Sequence, residues 1–113
     1  ITVEYSWFLW RLDGEEPFEP FASLDYGVDP DAEMTWAETV GGVELRAALT
    51  EAIADSNRRT LRAESLDVTS ARTDQVGHVW SLRWILVHMI EEYARHCGHA
   101  DLIREAIDDD VAT

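Results

Sequence analysis

Apolar residues return at helical spacing in three stretches of the chain, and two broken or polar segments separate them. The first stretch, residues 1–12, is apolar at nearly every position. Val3, Trp7 and Trp10 stand at helical spacing, with Glu4 and Ser6 as the few polar interruptions, and the pattern predicts a largely buried helix. No capping residue or polar lead-in precedes this pattern, so the expectation is a helix entered in its middle.

From residue 13 to 31 the periodicity fails, because Gly14, Pro17, Pro20, Gly27 and Pro30 punctuate an acidic connection. Phe18, Phe21, Leu24 and Tyr26 are too apolar for a solvated linker, which predicts a loop packed over one end of a helical bundle. Thr35 with Glu38 has the spacing of a capping box and predicts a helix start there, with Thr39 as a second candidate. Val43, Leu45, Leu49, Ala52 and Ile53 then recur among charged residues as far as about Arg62, although Gly41 and Gly42 weaken the first turn. Arg58, Arg59 and Arg62 end the exposed face, where cations suit a helix C-terminus.

Residues 65–79 are polar and contain Gly77, with extended backbone expected at 76–80. Ser81 offers an N-cap to an uninterrupted periodic run from 82 to about 107, followed by an acidic tail at 108–113. Three helices are countable. The expectation is an all-α, single helical-bundle domain over residues 1–113.

Composition narrows the function classes. A chain of 113 residues with 46% apolar and 28% charged side chains has material for one core and lies far from the disordered classes. No stretch approaches the roughly 20 apolar residues of a membrane span, and residues 1–13 have no basic signal-peptide start. A cytoplasmic protein away from membranes is therefore expected. The net charge of −14 repels phosphate backbones, so nucleic acid is not expected as a partner. Cys97, the single cysteine, falls in the last helical run and reads as a reduced, small buried or half-buried side chain. No Gly-rich phosphate loop, nucleophile elbow or Cys-x-x-Cys is present.

The chemistry concentrates on the last helix. At about 100° per residue, His88, Glu92, Arg95, His96 and His99 project within an arc of about 100°, beside Ile85 and Ile103 as the core-facing side. Burying so many ionisable groups costs several kcal/mol apiece unless they are paired or bound to a cation, and a metal is the simplest reason for them. Glu92 and His96, four apart, can chelate one ion, and His88 and His99 extend the row. The plain alternative is a solvated helix face held by salt bridges. Arg95 either pairs with Glu92 or holds an anionic substrate. Asp101 and Glu105 either orient a ligating histidine or pair with Arg104 or Arg95. His78, in the polar connection without companions, reads as solvated, and the five tryptophans read as packing more than as a stacking platform.

The segment from Ser81 to Asp108, SLRWILVHMIEEYARHCGHADLIREAID, resembles the C-terminal signature of the DinB/YfiT-like superfamily, in its actinobacterial mini-circle branch. Val3-Glu4, Trp7-Phe8 and the acidic Asp29-Pro30-Asp31 are similar to the family's middle portion more loosely. The resemblance implies a four-helix bundle, of which about three helices are present, and a divalent metal, zinc or nickel, held by three side chains. Glu92 and His96 match the paired positions on the last helix, with Gly98 following them as in relatives. The third ligand it implies is a histidine just ahead of Ile1, with His88, His99 or Glu4 as substitutes. The implied activity is transfer or isomerisation with a low-molecular-weight thiol such as mycothiol as co-substrate. The rival expectation is a non-catalytic helical binding module, with or without metal, that senses a small molecule or simply dimerises through an apolar bundle face.

Overall fold

The computed structural model describes residues 1–108. Residues 109–113, most of the expected acidic tail, lie outside the described residues. The chain divides into two units, Ile1–Leu82 and the last helix from Arg83 onward, and each is taken by itself.

The first unit begins with a single α-helical turn, α1 (Thr2–Glu4), that widens into a π-helix over Tyr5–Leu12. The Asp13 N–H reaches back five residues to the Phe8 carbonyl, at 3.3 Å. Tyr5, Phe8, Leu9 and Leu12 are buried, while Val3, Trp7 and Trp10 are only half-buried. The expected burial is therefore present, but the wider turn places it on residues four apart. Tyr5 and Leu9 pack with Ala52 from α3 (Gly42–Arg62), and Ile1, Trp10 and Phe21 close around them.

Gly14 ends the π-helix with φ +73, and the Glu15 N–H closes on the Leu9 carbonyl at 3.1 Å. Only glycine adopts that conformation without cost. A Cβ there would also lie 3.0 Å from the Ala71 Cβ, so Gly14→Ala is strained twice over. The substitution is expected to lower stability by about 1–2 kcal/mol in urea unfolding. An unchanged unfolding midpoint would contradict this.

The long acidic connection packs as its aromatics predict. Phe18 and Phe21 set their rings 5.0 and 5.1 Å from Tyr5, and Phe21 meets Trp36 at 5.3 Å after one 3-10 turn at Phe21–Ser23. The helix starts behave differently. α2 (Ala32–Glu38) begins before Thr35, whose hydroxyl donates to Asp29 Oδ2 at 2.7 Å and caps nothing. Thr39 terminates α2, its hydroxyl donating to the Trp36 carbonyl, and α3 starts only after Gly41. Asp29, whose own carboxylate also accepts the Asp31 N–H, competes for the hydroxyl that a capping box requires.

At the other end of α3 the expected exposed arginine row is broken. Arg58 and Arg62 are exposed, but Arg59 is buried on the same face as Ala52 and Ser56. Its guanidinium donates to Asp13 and Asp55, each at 2.6 Å, and to Glu15 at 3.1 Å.

The polar connection after α3 folds back on the end of the π-helix. The Ala71 and Arg72 N–H groups reach the Leu12 and Arg11 carbonyls, and the Arg72 side chain reaches the Trp10 and Gly14 carbonyls. These bonds satisfy acceptors that a helix C-terminus leaves open. Arg11 lies 4.4 Å from the Trp7 ring centre and Arg72 lies 4.7 Å from that of Trp10, with Trp80 edge-on to Trp7 at 5.4 Å. With Trp36 against Phe21, four of the five tryptophans thus serve packing. No residue of 76–80, where extended backbone was expected, enters a bridge; the isolated bridge pairs Thr69 with Ser81, flanked by Ser70–Trp80 and Leu82–Val68 hydrogen bonds.

The second unit is the helix α4 (Leu82–Asp108). Leu82, Ile85, Met89 and Glu92 are buried at three- and four-residue spacing, and every described residue from Tyr93 onward is exposed. Ile103, expected on a core side, is therefore on the surface. Cys97 is exposed as well, contrary to its expected burial, because the covered face of α4 ends one turn before it. Among the described residues all regular elements are helical and none is a strand, so the fold class is all-α and accords with the DinB-like helical fold. No described helix is long and apolar enough to cross a membrane.

Candidate functional site

The i, i+4 periodicity of α4 stacks Trp84, His88, Glu92 and His96 one turn above another along a single ridge. Glu92 is the covered member, with 11% of its side chain exposed, against 20% for His88 and 50% for His96. A buried carboxylate is costly without partners, and this one has three. His88 Nε2 lies 3.0 Å from Oε1, His96 Nε2 lies 3.4 Å from Oε2, and the Arg95 guanidinium pairs with Oε2. Burial pushes the Glu92 carboxyl up, but the Arg95 hydrogen bond and charge, aided by His88 and His96, outweigh it and hold it below the ordinary glutamate value. Glu92 is consequently an ionised acceptor at neutral pH.

Two further side chains complete the ridge. The Trp84 ring stacks on the His88 imidazole, centroids 4.8 Å apart and planes within 12°. Glu91 places Oε2 3.5 Å from His88 Nδ1. Neither is a recognisable site residue from spacing alone, although Trp84 four residues before His88 is the signal for the stack.

The inward-facing cluster of five is reduced by the structure. His88, Glu92, Arg95 and His96 come together, but Arg95, His96 and His99 are exposed, since the covered face of α4 stops at Glu92. The burial cost that the cluster was expected to carry falls on Glu92, with His88 half-covered. His99 touches only the edge of the His96 ring, at 6.0 Å between centroids. Asp101 is exposed, and Arg104 pairs with Asp108, not with Asp101 or Glu105. Of the two alternatives for Arg95, pairing with Glu92 is the one observed. His78 is solvated as expected, 3.8 Å from Asp74 and beside the Trp80 ring.

The donor geometry can be tested against a metal. Two donors each about 2.1 Å from a tetrahedral zinc are about 3.4 Å apart, and Glu92 Oε2 and His96 Nε2 have that separation. The pair therefore fits one edge of a coordination tetrahedron. Among the described residues no group of three or more His, Cys, Asp or Glu is arranged to hold an ion, and Oε2 of this pair is also the oxygen bonded by Arg95.

A family model described as mycothiol-S-transferase matches residues 1–109 of this chain. No curated protein and no solved structure matches it.

Proposed function

We propose that this chain, which belongs to the mycothiol-S-transferase family over residues 1–109, joins the sulfur of mycothiol to an electrophilic substrate. The family is a DinB/YfiT-like one, and within that superfamily we assign the chain to the actinobacterial mini-circle branch. Glu92 and His96 would hold a divalent ion, zinc or nickel, with a further protein donor. The observation that carries this reading is the 3.4 Å edge between Glu92 Oε2 and His96 Nε2 on a carboxylate kept ionised by its neighbours.

When bound, such an ion lowers the pKa of a coordinated thiol, so that a strong nucleophile is available near neutral pH. The chain's own groups then divide the remaining work. Glu92 supplies a negative charge that an incoming cation neutralises. Arg95, more exposed than its partner Glu92, would receive an anionic group of the substrate by a bidentate contact once the ion competes for the carboxylate. His99 and Asp101 lie on the exposed turns beyond His96, as outer residues of the same surface.

The experiment is elemental analysis of the purified protein together with a conjugation assay. In that assay mycothiol is offered 1-chloro-2,4-dinitrobenzene, and the dinitrophenyl thioether is read by absorbance. The sulfur–carbon bond forms as the carbon–chlorine bond breaks, chloride leaves, and the thiol proton passes to solvent. Bound metal with enzyme-dependent conjugation supports the reading. Absence of both favours the rival, a non-catalytic helical module that pairs with a second copy through apolar side chains exposed on α4, such as Val87 and Ile90.

A further inference from the structure

We propose that the Arg11 guanidinium, set among three indole rings, receives a small aromatic carboxylate. Every residue of this site belongs to the first unit, so the proposal is independent of any reading of α4. Trp7, Trp10 and Arg11 lie on the π-helix Tyr5–Leu12, and the connection after α3 brings Trp80 to them. π-Helical turns are rare and recur at functional sites. Here the wider turn puts Ser6, five residues back, within reach of Arg11: Nη1 donates to the Ser6 carbonyl at 3.3 Å and to the Ser6 hydroxyl. The ring centres of Trp7, Trp10 and Trp80 lie 4.4, 5.2 and 5.8 Å from the central carbon of the guanidinium. Trp80 is itself fixed, its N–H donating to Ser70 Oγ at 3.1 Å and its carbonyl accepting from the Ser70 N–H at 2.7 Å.

An arginine held against aromatic rings uses the faces of its guanidinium and leaves the edge for hydrogen bonds. Both described hydrogen bonds of the Arg11 side chain start from Nη1, and among the described residues Nε and Nη2 have no acceptor. Those two nitrogens are a fork that matches the two oxygens of a carboxylate. Charge points the same way. Arg58, Arg59, Arg62, Arg72, Arg95 and Arg104 each pair with a carboxylate of the chain, whereas half-buried Arg11 pairs with none among the described residues. Burial pushes its pKa down, and no neighbouring acid opposes the shift. A partly buried charge without a counter-ion is costly, and cation–π contacts offset only part of that cost. A bound anion offsets the rest. With one guanidinium at the site and a net charge of −14 on the chain, a monoanion is accepted and a phosphate dianion is repelled. The half-buried indoles beside the fork give a flat apolar body a surface to pack on.

The test is titration of the whole chain with benzoate at low salt, read by calorimetry and by tryptophan emission, with benzamide and inorganic phosphate as comparison probes. Benzoate is expected to bind at one site and to change the emission. Benzamide has nearly the same shape without the charge and is expected to bind roughly 10-fold more weakly or worse, and inorganic phosphate to give no saturable heat. Arg11→Met, checked for folding by circular dichroism, is expected to lose roughly 10–100-fold in benzoate affinity, the effect of removing hydrogen bonds to a charged group. Arg11→Lys keeps the charge without the fork and should regain only part of that loss. Arg46→Met removes the same charge from an exposed position on α3 and should bind benzoate as the parent does. A parent that binds no benzoate, or that binds benzamide equally well, overturns the proposal without recourse to any variant. Benzoate binding by Arg11→Met as tight as in the parent overturns it as well, and saturable phosphate binding overturns the choice of a carboxylate. Metal content and mycothiol conjugation are separate readouts, so failure here leaves the proposed function standing.

Discussion

Replacing His96 by Ala is expected to abolish stoichiometric divalent metal and the conjugation of mycothiol, whereas replacing His78 by Ala leaves both at parental levels. His96 contributes one of the two donors that lie at tetrahedral separation, and its loss leaves Glu92 with Arg95 as its charged neighbour. A carboxylate already paired with a guanidinium and one further donor make a poor site for a divalent ion, so stoichiometric binding should be lost. The fold should be unaffected, because His96 is half exposed and surface substitutions of this kind usually stay within about 0.5 kcal/mol. His78 is the matched control. It is an exposed loop histidine 3.8 Å from Asp74, outside the ridge on α4. Elemental analysis of the two variants beside the parent decides the matter, and equal metal content in both would refute the assignment of His96.

Replacing Arg59 by Met should cost about 3 kcal/mol of stability, the lower end of the range for breaking a buried pair. The Arg59 side chain is 8% exposed, and it bridges Asp13 near the end of the π-helix, Glu15 beyond it and Asp55 one turn earlier on α3. Hydrogen bonding to Glu15, then to Asp55 and Asp13, raises its pKa against the opposing effect of burial, so it stays charged at all working pH values. Methionine fills much of the volume but leaves Asp13 and Asp55 facing each other without their common cation. Arg62 still reaches Asp13 at 3.0 Å and Glu15 is half exposed, which keeps the loss from being larger.

The pH dependence provides a second readout for the same variant. The hydrogen bond from Arg59 holds the Glu15 carboxyl below the ordinary glutamate value, against a smaller effect of desolvation. A carboxylate depressed in the folded state stabilises it above the unfolded pKa of about 4.3, and that contribution disappears as pH falls through the folded value. The parent should therefore lose stability across this acid window, and Arg59→Met should lose less of it. Urea unfolding at several pH values measures both effects. A neutral-pH difference under about 0.5 kcal/mol would show that the network is worth no more than a surface pair.

Much of this was legible in the residues, and the failures have physical causes. The last helix was readable almost to the residue because its run from 82 to about 107 has no proline and only one glycine, Gly98, and the observed helix is Leu82–Asp108. The first helix was readable as a buried element but not as a π-helix, since an apolar residue at nearly every position leaves the period undetermined. The capping box at Thr35 failed because a hydroxyl can serve several acceptors, and Asp29 took it. Arg59 was misassigned because its main partners, Asp13 and Glu15, are 46 and 44 residues away, and no local pattern announces them.

The sequence by itself determined that the chain is helical, where its last helix runs, and that His88, Glu92 and His96 must share one ridge, since backbone geometry alone places residues four apart on one face. Only the tertiary structure decided which of those groups are covered, that Arg95 pairs with Glu92, and that the two oxygens of that carboxylate face different imidazoles. The reason is that spacing along a helix is a local property. Burial and side-chain orientation depend on which packing and polar partners each group finds once the chain has folded.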